Sequence, residues 1–172
     1  MKFSNIGNPA VLGGEPISRQ PLQIVRPKFP AFRHIAEKLE SMLQSGVVTN
    51  HGPYVQQFEE EYAEACGSEH CISCANGTDA IYITLKCLDI GPGDEVITVA
   101  NTWISTAETI SQSGARPVFV DIHPDYYTID VTKIEEKINS NTKAIIPVHL
   151  FGQPVKMDII TDICNKYNLL LI

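Results

Sequence analysis

Apolar positions follow two different periods along this chain. Up to residue 67 they recur at three- and four-residue spacing; beyond residue 70 short β-branched runs alternate with helical stretches. Ile35, Leu39, Met42 and Leu43 lie on one face of a helix that begins after Pro30 and closes at Ser45-Gly46. A loop over 47–53, containing Asn50-His51-Gly52-Pro53, leads to a second helix. Val55, Phe58, Tyr62 and Ala65 mark its apolar face, Glu59, Glu60, Glu61 and Glu64 its solvated face, and Gly67 its end.

From residue 70 the pattern predicts strands and helices in alternation. Residues 70–74 read as a strand, about 78–88 as a helix that stops before Gly91-Pro92-Gly93, and 95–99 as a strand. Ser105 and Glu108 spell a capping box for a helix running to Gly114. A strand over 118–120 ends at Asp121, and Asp130 caps a short helix through Ile138. Then come a strand over 144–150 that includes His149, a helix over 157–167, and the start of a fifth strand at 169–172. Such alternation with near-continuous apolar strands predicts an α/β fold: a mostly parallel sheet with helices on both faces. Ligands in these folds sit beyond the carboxyl ends of the strands. Here those ends are 75–78, 100–103, 121–123 and 149–153, which are expected to converge.

Residues 1–28 break the pattern. Pro9, Pro16, Pro21 and Pro27 punctuate them, Pro30 follows, and Gly13-Gly14 reads as a turn. We read 1–28 as an extended arm and 29–172 as a domain. The chain stops inside an apolar strand, and a terminal carboxylate there is costly unless paired. The expectation is a longer protein or a partner.

Composition narrows the function. With 172 residues, of which 44% are hydrophobic, the chain can bury a core. A net charge of -7 argues against nucleic acid, whose binders carry a basic face. No apolar run approaches the roughly 20 residues of a membrane span. The start, Met1-Lys2-Phe3-Ser4-Asn5, lacks a signal-peptide core, so a cytoplasmic location is expected. Cys66, Cys71, Cys74, Cys87 and Cys164 are odd in number and are expected to be free thiols. Cys71 and Cys74 spell C-x-x-C, but residues three apart on a strand face opposite ways, and no second pair completes a zinc set. No metal site is expected.

The candidate chemistry lies at Ala75-Asn76-Gly77-Thr78. A small turn from strand into helix aims backbone N–H groups and the positive helix end at one spot, and Thr78 adds a hydroxyl. The plain alternative is a β–α turn in which Thr78 caps the helix. The stretch has neither the lysine of a nucleotide P-loop nor G-x-G-x-x-G. Asp79 sits in the first helical turn, where the dipole favours a carboxylate. Trp103, the one tryptophan, follows the next strand and either packs in the core or offers a flat stacking surface. A phosphate cradle beside such a surface suggests an aromatic phosphate ester such as pyridoxal phosphate. Asp121, His123 and His149 read as hydrogen-bonded structural residues.

These stretches together resemble a family. Gly46, Gly52-Pro53, Phe58-Glu59, Asn76-Gly77-Thr78-Asp79-Ala80, Gly93-Asp94-Glu95-Val96-Ile97 and Thr102-Trp103 are similar to the DegT/DnrJ/StrS sugar aminotransferases. So are Gly114-Ala115-Arg116-Pro117-Val118-Phe119-Val120-Asp121 and the run from Thr142-Lys143-Ala144 to His149-Leu150-Phe151-Gly152-Gln153-Pro154, in the family's order over about 27–172. The resemblance implies a fold-type I pyridoxal phosphate enzyme, whose large domain is a three-layer sandwich. It implies transfer of an amino group, usually from glutamate, to a nucleotide-linked keto-sugar in polysaccharide or antibiotic-sugar biosynthesis. By motif position, Gly77, Thr78 and the Asp79 backbone N–H would hold the cofactor phosphate, and Trp103 would stack on the pyridine ring. A homodimer with shared active sites is implied as well.

The Schiff-base lysine and the aspartate that meets the pyridine nitrogen fall past Ile172 in the family's order. Lys143 and Lys156 do not occupy the lysine's place. The resemblance therefore implies no catalytic residue within these 172 residues, a partial large domain over 29–172 without the small domain, and a chain inactive by itself. Two other classes stand beside this reading: a non-catalytic α/β module that binds phosphate or a partner, as a degenerate or regulatory relative, and a thiol oxidoreductase using Cys71 and Cys74.

Overall fold

A computed structural model describes residues 7, 10–16, 18, 20, 21, 23, 25–49 and 51–172. The chain divides into two compact units, Met1–Gly67 and Ser68–Ile172.

The first unit holds two helices, α1 (Phe32–Ser45) and α2 (Pro53–Cys66). Both end as the spacing predicts, on glycines in the left-handed region: Gly46 at φ 67° and Gly67 at φ 65°. The apolar stripe of α1 forms, yet none of its residues is buried; Phe32, Leu39 and Leu43 remain exposed. In the arm expected over 1–28, a tight 3-10 turn spans Ala10–Leu12, and Gly13 N–H returns to the Ala10 carbonyl at 3.0 Å. Gly13-Gly14 thus lies at a turn as expected. Residues 1–6, 8, 9, 17, 19, 22 and 24 of that arm, and Asn50 of the 47–53 loop, lie outside the described residues.

The second unit is the α/β part. It runs α3 (Gly77–Cys87), β1 (Glu95–Val99), α4 (Ser105–Ser113), β2 (Arg116–Val120), β3 (Thr142–Ile146), α5 (Met157–Tyr167) and β4 (Leu170–Leu171). Among the described residues the sheet has the order β2-β1-β3-β4, with every pair parallel. All five residues of β1 are buried, as a central strand covered on both faces must be. Side-chain alternation sends Val96, Ala144 and Ile146 to one face, with Leu85 of α3 and Ile110 of α4. Ile97, Val99, Val120 and Ile145 go to the other, with Ile160, Ile163 and Cys164 of α5. Helix, sheet and helix make three layers, the expected fold. Thr98 is buried in the sheet and donates its hydroxyl to the Ile146 carbonyl at 2.9 Å, which removes the cost of hiding it.

The strand order places a switch point. From β1 the chain leaves through α4 to β2 on one side; it then crosses back to β3 and leaves through α5 to β4 on the other. β1 and β3 are neighbours whose outgoing connections diverge, so a crevice opens beyond their carboxyl ends.

Four expectations need correction. Residues 70–74 form no strand, because no strand among the described residues pairs with them, and Ile72 is 86% exposed. β-branched composition alone does not make a strand without a ladder. The strand at Leu170 is accordingly the fourth. The strand expected over 144–150 starts at Thr142 and stops at Ile146, since Pro147 has no N–H to continue the ladder. The helix expected through Ile138 breaks into two 3-10 turns, Val131–Lys133 and Glu135–Lys137. Asp130 does cap the first, accepting from Thr132 N–H at 3.1 Å, but β-branched Val131, Thr132 and Ile134 weaken an α-helix this short.

Candidate active site

The turn before α3 is built around Asn76. Its Oδ1 accepts from Asp79 N–H at 2.9 Å, and its Nδ2 donates to Asp79 Oδ2 at 3.1 Å. The first bond is an N-cap, and the second ties the capping side chain to the Asp79 carboxylate. Asn76, not Thr78, therefore caps the helix, and Thr78 is free for other work. Asp79 lies in the first turn as expected. Its N–H, assigned by motif position to a phosphate, is engaged by Asn76.

Two N–H groups remain. Those of Gly77 and Thr78 have no protein partner among the described residues. They are the unpaired first-turn donors of an eleven-residue helix, at its positive end. A Cβ added at Gly77 would meet nothing within 4 Å, so open space adjoins them.

Ser105 supplies the link to the next strand end. The capping box expected of Ser105 and Glu108 does not form: Ile104 holds the cap position of α4, without a side-chain bond. Ser105 instead accepts a hydrogen bond at Oγ from Thr78 Oγ1, at 2.9 Å. This bond joins the start of α3 to the start of α4, two residues past Trp103. The indole of Trp103 is 76% exposed, which rules out core packing and leaves a surface shelf. The two unpaired N–H groups, the hydroxyl pair and the indole thus share the carboxyl edge of the sheet. The donor set fits a phosphorylated ring: two free amides and a hydroxyl for the phosphate, an exposed indole for the ring face.

The remaining candidates have local structural partners. Asp121 accepts from Ile122 N–H at 2.8 Å, and His123 Nδ1 from Asp125 N–H at 3.2 Å. His149 follows β3 instead of lying in it, and its Nδ1 accepts from Val155 N–H at 3.2 Å. All five cysteines carry free thiols. Because 70–74 is not a strand, alternation does not place Cys71 and Cys74; Cys74 donates its S–H to the Asn76 carbonyl at 3.2 Å. Burial pushes the Cys164 thiol up. No cluster of three metal-binding side chains occurs among the described residues.

Sequence reasoning missed Ser105 as a site residue. Its local signal, a Ser three before a Glu, pointed to a helix cap. Phe151, in the 3-10 turn Leu150–Gly152 that follows β3, is 91% exposed and sits at φ 56°, an uncommon backbone for an aromatic residue. A cleft of about 560 Å³ lined by Glu95, Arg116 and Asn141 opens at the opposite, amino edge of the strands and is not part of this site.

A profile of the DegT/DnrJ/EryC1/StrS aminotransferase family matches residues 32–172. UDP-2-acetamido-2-deoxy-3-oxo-D-glucuronate aminotransferase of Pseudomonas aeruginosa is 45% identical over 140 residues, covering 78% of this chain and 38% of that protein. A pleiotropic regulatory protein of Geobacillus stearothermophilus is 46% identical over 121 residues, covering 70% of this chain and 32% of that one. The crystal structure of NtdA from Bacillus subtilis with bound cofactor PMP superposes with a TM-score of 0.79 at 41% identity, covering 81% of this chain and 32% of NtdA. The chain spans less than two fifths of the length of these relatives.

Proposed function

The chain belongs to the DegT/DnrJ/EryC1/StrS aminotransferase family, and from that premise we propose that it carries the phosphate cup and ring shelf of a pyridoxal phosphate-dependent sugar aminotransferase. The reaction is transfer of an amino group from glutamate to a nucleotide-linked keto-sugar. The relative from Pseudomonas aeruginosa, named for a UDP-linked oxo-sugar acid, supports that substrate class. The observation that carries the reading is the placement of free Gly77 and Thr78 N–H groups and exposed Trp103 on one sheet edge, tied together through Thr78 and Ser105.

When bound, pyridoxal phosphate supplies the electron sink that amino transfer needs. The residues of this chain bind and orient it. Gly77 and Thr78 donate N–H groups to the phosphate, helped by the positive end of α3. Asn76 holds the Asp79 carboxylate on the cap by its Nδ2 bond. Trp103 would stack on the pyridine ring. Residues 29–172 act as part of the large domain.

A second copy of the chain completes the assembly. The uncovered apolar stripe of α1, with Phe32, Leu39 and Leu43 exposed, supports a dimer. No helix among the described residues is long and apolar enough to cross a membrane, which is compatible with a cytoplasmic enzyme.

Amino transfer is tested with the complete gene product, glutamate and a UDP- or dTDP-linked keto-sugar, by following 2-oxoglutarate release. Turnover is expected. A protein that binds pyridoxamine 5′-phosphate yet transfers no amino group to any such sugar would instead fit the second reading, a regulatory relative. The name of the Geobacillus stearothermophilus protein favours that one.

A further inference from the structure

Ser105 does something unusual for a serine in the first turn of a helix. Such a hydroxyl ordinarily bonds the backbone of its own helix. Here Ser105 is buried, at 8% exposure, and its side chain pairs with the Thr78 hydroxyl at the start of another helix. Thr78 is β-branched, so a single bond to its Oγ1 selects its χ1 rotamer. That hydroxyl belongs to the same first turn of α3 as the free N–H groups of Gly77 and Thr78.

A hydroxyl has one proton and two acceptor sites. As the pair stands, Thr78 gives its proton to Ser105 and can only accept from a third group. Turning both hydroxyls about their C–O bonds reverses the hydrogen bond: Ser105 donates to Thr78, and the Thr78 proton becomes free. No atom moves except hydrogen. An anion arriving at the cup then meets two N–H donors and one O–H donor on adjacent atoms.

We propose that Ser105 is a positioning residue for phosphate recognition: it fixes the Thr78 rotamer and, by reversing their shared hydrogen bond, turns the Thr78 hydroxyl into a phosphate donor. The proposal rests on the cofactor reading above. It predicts that Ser105 acts on the phosphate and not on the ring. A serine that merely rivets α3 to α4 would alter stability and would not distinguish phosphorylated from unphosphorylated ligands.

The test uses the apo form of the complete gene product and calorimetric titration. Pyridoxamine 5′-phosphate and pyridoxamine are titrated separately; neither has an aldehyde to react with surface lysines. Wild type is expected to prefer the phosphorylated ligand by at least about tenfold. Ser105→Ala should weaken that ligand about tenfold, as loss of a bond supporting a charged acceptor does, and leave pyridoxamine within about twofold. Ser105→Thr should restore the preference, and Ser105→Cys, which keeps the volume, should behave as Ser105→Ala does. In a Thr78→Val background Ser105→Ala should be silent, because the two residues act as one unit.

Outcomes separate the two levels. No preference for the phosphorylated ligand in wild type overturns the cofactor reading and this inference with it. A wild-type preference that Ser105→Ala leaves intact overturns this inference alone. So does a Ser105→Ala effect equal for both ligands, or one that adds to Thr78→Val, or one that appears only as a lower melting temperature.

Discussion

Nδ2 of Asn139 donates to the buried carboxylate of Glu95 at 2.8 Å. Glu95 opens β1 and Asn139 precedes β3; Arg116, which opens β2, bonds the same carboxylate from the other side. One side chain therefore ties together the starts of three neighbouring strands. The Asn139 bond, the Arg116 bond and the Arg116 charge hold the Glu95 carboxyl below its ordinary value, against the opposing effect of burial. A folded-state pKa below the unfolded one gives stability that is complete above the unfolded pKa and is lost as pH falls through the folded one. Unfolding by urea should find this contribution intact at pH 7 and declining below about pH 4.3, the ordinary glutamate value. Glu95→Gln should cost about 1–2 kcal/mol at pH 7. Its deficit should shrink toward pH 3; a gap constant across that range would contradict the lowered carboxyl.

Gly114 and Gly67 both end helices with positive φ, at 97° and 65°. Their surroundings differ. A Cβ on Gly114 would lie 2.9 Å from Cδ of Pro92, whereas one on Gly67 meets nothing within 4 Å. Gly67→Ala should cost only the backbone penalty, about 1 kcal/mol. Gly114→Ala adds a clash with a rigid ring and should cost about 2–3 kcal/mol. Equal losses of melting temperature in the two variants would mean that Pro92 gives way.

Much of this arrangement could be read from residue order, and the exceptions have a common cause. Helices α1, α2 and α5 follow from apolar spacing, and their glycine or asparagine ends follow from the left-handed backbone that these residues tolerate. The 70–74 segment failed because a strand is a relation between two segments, and composition describes only one. Ser105 was misread for the same reason: the local cue named a cap, while the partner sits 27 residues earlier. The start of α3 at Gly77 was legible without that strand, because a small polar turn ahead of an apolar-faced helix is a local signal. What binds Asp79 N–H was not, since an Asn cap competes with a phosphate for the same donor.

Asn76 gives that competition a measurable form. Its removal in Asn76→Ala takes away both bonds to Asp79 and should destabilise the second unit by about 1 kcal/mol, the usual worth of a helix cap. Asn76→Ser keeps an acceptor at the cap and should stay close to wild type. Melting curves of the two variants decide between a capping role and a dispensable loop residue: if alanine and serine behave alike, the Oδ1 bond contributes nothing.

Trp103 separates stability from binding more cleanly than any other residue of the site. A tryptophan packed in a core costs about 3–5 kcal/mol when cut to alanine. At 76% exposure the indole has little to lose on folding, and Trp103→Ala should change stability by no more than about 0.5 kcal/mol. Ligand binding should respond in the opposite sense. Losing the ring shelf weakens pyridoxamine and its phosphate alike, by about tenfold, because both present the same pyridine face. Trp103→Phe keeps a flat surface and should recover most of that loss. Calorimetric titration is the measurement. A Trp103→Ala protein that melts like wild type and binds both ligands as tightly would remove the indole from the site while leaving the Gly77 and Thr78 donors in place.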